Sequence, residues 1–375
     1  MNNNYRYQFL FIGNREIIYN ELVQGLKESF SELKIPEESL CCSMNDVTAI
    51  KGNQPIVIVV AHDKPHLPQQ YLNWIGSNEF NVNVILPVYY SNFSDEFKDE
   101  ILKIYNGIKY DTPSAIVTII LEGFNIVRKQ RKLFISYRRT ESRTVATQLY
   151  THFQGRNFDV FLDTNSIARG VEFQKNLFHK MIDCDIVLLL DTKDFLNSDY
   201  CKEELEKAIA NRIGILRIKW PNSGNPDYPG LIDMMNLKST DFKGRKLKTR
   251  ILDTLNHRVE SLRIRSFASR QDALTTEFIE TASRKGKKAV QIYPNIIRMH
   301  DKGKEQVFIA AIGVPTSESF HHAEEMLTKL LAKQSEFTLI YDDLSLLQSW
   351  INHLCWISNR TNLETLRKSE FESNI

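Results

Sequence analysis

An α/β fold built on mostly parallel sheets is predicted by three features of the sequence. Apolar runs of strand length recur along the chain, as in Ile56–Ala61 and Ile186–Leu190. Between them lie stretches whose apolar residues repeat at helical spacing. Strand-like and helix-like segments alternate rather than cluster by type, the pattern of βα units. The 375 residues exceed one ordinary core and suggest two or three domains, and the chain is read as the three blocks 1–129, 130–260 and 261–375.

In the first block the strands are expected at Tyr7–Ile12, Ile56–Ala61 and Val82–Val88, and the helices at Glu16–Leu33 and Ser114–Val127. The basic run Arg128–Lys132 reads as a solvated linker. The middle block opens on a buried strand, Leu133–Ser136. The next helix carries Val145, Ala146, Leu149 and Phe153 on one face, as core. A strand ending at Asp163 follows, then a polar loop containing Arg169 and Gly170, and a helix packed through Phe173, Leu177, Phe178 and Met181. Cys184–Leu190 reads as a buried parallel strand, and Ile213–Trp220 as another. In the last block a helix is expected around Asp272–Ala282, strands near Ala289–Tyr293, Val307–Ile312 and Phe337–Tyr341, and helices at Ser319–Ala332 and from Leu344. The Arg284–Lys288 turn contains Gly286, and the polar tail after Asn359 is expected to fray.

Charge and composition remove several function classes. With 48 basic and 46 acidic residues the net charge is +2, which gives no reason to expect a nucleic-acid partner. Five cysteines at spacings that match no zinc pattern suggest a reducing, cytoplasmic setting. No apolar run approaches the ~18 residues of a membrane span, and the polar N-terminus shows no secretory signal. His62 and His66 bracket Pro65, which argues against a helical metal pair, and the acidic residues after His321 and His322 suit a helix N-terminus.

The segment Phe195–Leu205 contains the most informative carboxylate. Asn197 and Ser198 are good N-caps, and Cys201, Leu205, Ala208 and Ile209 form an apolar stripe. Lys202 and Glu206, and Glu203 and Lys207, are spaced to pair at i,i+4. Glu204 does not share that surface explanation. It lies three residues after Cys201 and four before Ala208, at the border of the stripe, and is expected to face a crevice. Ser136, Tyr137 and Arg138 end the first strand of this block on the side where parallel sheets form ligand crevices.

Taken together, Lys132–Arg139 (KLFISYRR), Asp159–Gly170 (DVFLDTNSIARG) and Cys184–Leu205 resemble the Toll/interleukin-receptor (TIR) family, with its flavodoxin-like parallel sheet. Ser198, Tyr200, Cys201, Glu204 and Leu205 fill that family's Ser-x-aromatic-Cys-x-x-Glu-Leu signature, with Tyr where Trp is common in plant relatives. The resemblance covers roughly a third of the chain. It implies NAD+ cleavage with Glu204 as the catalytic carboxylate, and substrate contacts from Ser136, Tyr137, Arg138, Asp163, Ser198 and Tyr200. It implies self-association through a loop containing Arg169 and Gly170, with NAD+ as substrate and no cofactor or metal. A bacterial anti-phage role by NAD depletion, released by a phage or nucleotide-type trigger, is the expectation. The alternatives are a synthase of a cyclic ADP-ribose messenger and a non-catalytic TIR scaffold. In the first block, Val84–Tyr90 (VILPVYY) resembles a late TIR strand, but the Glu signature has no counterpart there, so a degenerate TIR-like or flavodoxin-like domain for sensing or assembly is expected.

Overall fold

The structure is a computed structural model that describes residues 7–51, 54–78, 82–162, 173–224, 226, 229, 232–301, 303–331, 337–361 and 364–375. The chain divides into two compact units, residues 1–129 making the bulk of one and the chain from Gln130 onward the bulk of the other.

The first unit contains β1 (Tyr7–Gly13), α1 (Glu16–Glu32), β2 (Leu40–Met44), β3 (Ile56–Ala61), α2 (Gln69–Asn78), β4 (Val84–Tyr89), α3 (Phe93–Glu96), α4 (Glu100–Lys103), β5 (Ile108–Lys109) and α5 (Pro113–Gly123). Its sheet runs β2-β1-β3-β4-β5, with every pairing parallel. Both faces of β1 and β3 are buried, which is why these strands read as continuous apolar runs rather than alternating ones. Strands β2 and β5 and helix α2 are additions to the expected elements.

The second unit begins with β6 (Arg131–Tyr137), α6 (Arg139–Gln154), β7 (Phe158–Leu162), α7 (Phe173–Ile182), β8 (Ile186–Asp191), α8 (Asp199–Ala210), β9 (Gly214–Lys219) and β10 (Ile232–Asn236). A small hairpin, β11 (Phe242–Lys243) and β12 (Lys246–Leu247), precedes α9 (Thr249–Arg284). The sheet order β10-β9-β8-β6-β7 is again second-first-third-fourth-fifth in local numbering, all parallel, the flavodoxin-like order. Leu133, Ile135 and Tyr137 of β6 pack toward α6 and α9, while Phe134 faces Phe178, Cys201 and Leu205. Arg131 and Lys132 are not linker residues: they open β6 and form ion pairs with Glu260 and Asp183.

The third sheet comprises β13 (Lys288–Tyr293), β14 (Ile296–Asp301), β15 (Lys304–Ala311), β16 (Phe337–Tyr341) and β17 (Glu364–Arg367), accompanied by α10 (Ser317–Leu331), α11 (Gln348–Thr361) and α12 (Phe371–Asn374). The first three strands form an antiparallel meander, and β15, β16 and β17 run parallel. The tail expected to fray instead supplies β17 and buries Phe371 at 2% exposure against Phe278, because Leu366 and Phe371 complete that core. Helix α9 is continuous for 36 residues, so residue 260 lies inside a helix. Its first half contributes Leu255, Val259 and Leu262 to the middle core and its second half contributes Leu274, Phe278 and Ala282 to the last. The turn after it contains Gly286 at φ 74°, the left-handed conformation that glycine adopts without strain.

Candidate active site

The chemistry-bearing residues of the middle sheet lie at the carboxyl ends of its strands. Helix α8 begins at Ser198, whose Oγ accepts from the Cys201 N–H at 3.4 Å, so of the two candidate caps it is Ser198 that caps. Starting there fixes the helical phase. Cys201, Leu205 and Ala208 are buried against the sheet, and Glu204 falls within that stripe rather than at its rim, at 4% exposure. The crevice-facing placement expected for Glu204 is thus corrected to a covered one. A carboxylate there requires compensation, and Ser136 provides part of it. The Ser136 hydroxyl, 1% exposed, donates to Glu204 Oε2 at 2.5 Å.

Strand alternation separates the residues expected beside Ser136. Tyr137 is the next residue of β6, so its ring points to the opposite face, where it is 5% exposed among Val145 and Leu149. That placement does not bring it to Glu204. Arg138 is tied to the loop after β8: its Nη1 donates to the Asp194 carbonyl at 3.0 Å and lies 3.4 Å from the Asp194 carboxylate and 4.0 Å from Glu141. Thr192 donates to Glu141 as well, closing a polar bridge between the two loops. Tyr200, on the first turn of α8, is 62% exposed. Asp163, Arg169 and Gly170 lie outside the described residues. On the outer face of α8, Lys202 pairs with Asp199 at 3.7 Å, Glu203 accepts from Gln174 at 3.3 Å, and Lys207 lies over the Phe178 ring at 5.5 Å; these contacts take the place of the expected i,i+4 pairs.

A second buried charge set shares the face of Ser136 and Glu204. Arg217 of β9, 1% exposed, donates through Nε to Asp191 Oδ2 at 2.7 Å, and its Nη2 lies 2.7 Å from the same oxygen. Ser136 pairs in register with Leu189 and Leu189 with Arg217. The signal for this pair was present in the sequence as a cation inside the apolar run Ile215–Ile218 and an acid directly after Leu190. Among the described residues no group of His, Cys, Asp and Glu is arranged to hold a metal ion, and no helix is long and apolar enough to cross a membrane.

A family model described as the TIR domain matches residues 133–255. No curated protein matches the chain significantly. The matched span runs from the second residue after the start of β6 into the first half of α9, and so takes in all of the flavodoxin-like sheet except the first two residues of β6, with Ser136 and Glu204 at its carboxyl edge. On sheet order, signature and family match alike, residues 133–255 belong to the TIR domain family.

Proposed function

We propose that the TIR domain cleaves the bond between nicotinamide and ribose in NAD+, with Glu204 as the catalytic carboxylate. The observation that carries this is the position of Glu204: a buried acid on the first turns of α8, hydrogen-bonded by Ser136 at the carboxyl edge of a flavodoxin-like sheet. The nicotinamide of NAD+ is already a cationic leaving group, so its departure needs no acid. Positive charge develops on the ribose as in glycoside cleavage, and a fixed carboxylate stabilises it without reorganising. Ser136 holds Glu204 in place, Ser198 anchors the helix that carries it, and exposed Tyr200 offers an aromatic surface. Water as the nucleophile gives ADP-ribose; an atom of the substrate itself gives a cyclic ADP-ribose.

In the single chain Glu204 is closed to solvent. The proposed activity therefore includes an opening step, which self-association of TIR domains would drive, and NAD+ depletion in an infected bacterial cell is the role we assign to it. The test is nicotinamide release by the full chain over a range of protein concentrations, wild type beside Glu204→Gln, with the sugar product resolved by chromatography. Release by wild type alone, rising more steeply than protein concentration, is the expected result. Equal release by both proteins would remove Glu204 from the mechanism. Absence of release at every concentration would favour a scaffold.

A further inference from the structure

The first unit lacks a counterpart of the Glu204 signature, yet it has a polar edge with unmet hydrogen-bonding capacity. In its sheet β1 lies between β2 and β3, so the chain leaves β1 toward both sides, the switch point at which open α/β sheets form their crevice. Gly13-Asn14-Arg15 follow β1, and His62-Asp63 follow β3. The two strand ends nearly touch: a Cβ on Gly13, at φ 148°, would lie 1.8 Å from the Ala61 carbonyl oxygen. Reciprocal bonds clamp the turn. The Gly13 N–H donates to Asn45 Oδ1 at 2.9 Å while Asn45 Nδ2 donates to the Gly13 carbonyl at 2.7 Å. Asn14 Nδ2 donates to Asp63 Oδ1 at 2.6 Å and the Asp63 N–H donates to Asn14 Oδ1 at 3.2 Å.

Two side chains at this rigid edge have buried polar atoms without partners. Arg15, the cap residue of the 17-residue α1, has one Nη bonded to Glu96 at 2.9 Å and its guanidinium 4.1 Å over Tyr90, but Nη1 is buried with no hydrogen-bond partner. Its side chain makes no bond to the first turn of α1. His62 is 5% exposed, edge-on to Phe97 at 5.2 Å, and both ring nitrogens are buried without a partner. Burial holds its pKa below the ordinary imidazole value, Arg15 also acts to lower it, and Asp99, the Lys64 backbone and Asp63 act to raise it.

The surrounding acids are already engaged. Asp99 is bonded to His66 Nδ1 and the Leu67 N–H, each at 2.8 Å, Glu96 to Arg15 and the Tyr90 and Ser91 N–H groups, and Asp63 to Asn14. Buried polar atoms left unpaired cost about 1–3 kcal/mol each, and native proteins retain few of them. A neutral imidazole N–H, a guanidinium N–H and the N-terminal end of a long helix are all complementary to an oxyanion.

We propose that this edge binds the phosphate group of a small phosphorylated ligand, held by Arg15 Nη1, the His62 ring and the first turn of α1. The site is separate from Glu204 and does not depend on the chemistry assigned there. The test uses the full chain with inorganic phosphate and with AMP, reading thermal unfolding, calorimetric binding and the His62 ring titration by NMR. Either probe should raise the Tm of wild type and move the His62 midpoint upward, and His62→Phe and Arg15→Gln should each weaken binding at least about tenfold. Tighter binding of AMP than of phosphate would identify a nucleotide site, and equal binding a site for free phosphate. Because Arg15→Gln also removes the Glu96 bond, His62→Phe, which keeps a ring against Phe97, is the deciding variant. Wild type unresponsive to both probes, or His62→Phe responding as wild type does, would overturn the proposal and leave water as the partner of these atoms.

Discussion

Glu204 illustrates how one residue can carry both a stability role and a chemical one. Its carboxylate occupies a position in the apolar stripe of α8 and is bonded by the Ser136 hydroxyl. Glu204→Gln keeps an acceptor for that hydroxyl. Glu204→Ala leaves Ser136 buried and unpaired, which should cost about 1–3 kcal/mol. Denaturant midpoints should therefore rank wild type and Glu204→Gln close together with Glu204→Ala well below, so the Gln variant is the cleaner probe of activity. His152 in α6 gives a pH prediction. Burial, and then Arg156, push its pKa down to about 4, and its Nδ1 lies 3.2 Å from Arg156 Nη1 as an acceptor. In the unfolded chain the ring titrates near its ordinary value of about 6.5. Between those values the unfolded state binds a proton that the folded state does not, so the contribution is complete above about 6.5 and is lost as pH falls toward 4. Discounted for the partial exposure of the ring, the loss should be about 1–2 kcal/mol. Urea midpoints measured across that window should fall less steeply in His152→Gln than in wild type; an unchanged slope would refute the assignment.

At the scale of elements, the buried Asp191–Arg217 pair joins β8 to β9 beneath α8. Arg217→Met deprives Asp191 of that guanidinium in a buried site, and should cost about 3–5 kcal/mol, whereas Asp191→Asn with Arg217→Met should recover much of the loss. Chemical denaturation of the single and double variants checks this, and a double variant no better than the single would show that the guanidinium acts through other contacts. The same elements show what the sequence made legible. Four of the five strands of the middle sheet, the α8 stripe and a cap at Asn197 or Ser198 followed from apolar runs, helical phase and capping chemistry, whereas β10 did not. Strict alternation along β6 would also have separated Tyr137 from Ser136, had it been applied to the strand end. Other elements carry weak local signals. Strand β17 is the four-residue edge segment Glu364–Arg367, and β2 is a short Leu40–Met44 run with no alternation. Both exist because a neighbouring strand supplies the ladder, which is a property of the assembled sheet. Of helix α9 only the stretch around Asp272–Ala282 was expected, because its buried face turns as it passes from one sheet to the next, so no single stripe persists along it.

At the scale of the molecule, that helix makes the TIR domain and the third sheet one folding unit. Arg263, fully buried, donates to Asp185 at 3.1 Å, and Ser266 accepts from the Gly214 N–H at 2.8 Å and donates to the Asp185 carbonyl at 2.9 Å. Farther along, Arg270 donates to the Ile182 and Cys184 carbonyls at 2.7 and 3.1 Å. The third block adds its own bonds to α7 and the turn after it: the Val314 N–H donates to Asp183 at 3.1 Å and the Leu347 N–H to His179 Nδ1 at 3.4 Å. A fragment ending at Arg258 would lose Val259, Leu262, Arg263 and Ser266, and Asp185 would lose its guanidinium. Such a fragment should be insoluble or molten, while residues 130–375 should unfold in one cooperative transition. Calorimetry of the two fragments distinguishes these outcomes, and a well-folded 130–258 fragment would contradict the account.

The continuity of α9 also imposes a phase lock. An α-helix turns about 100° and rises about 1.5 Å with each residue, so one extra residue between Ser266 and Leu274 would swing Leu274 and Phe278 by about 100° away from the sheet they cover. Seven extra residues nearly complete two turns and would restore the facing, displaced by about 10 Å along the axis. Insertions and deletions in this stretch are therefore tolerated by periodicity rather than by size, and the two sheets can be exchanged with those of other proteins only by a splice that keeps the helical count.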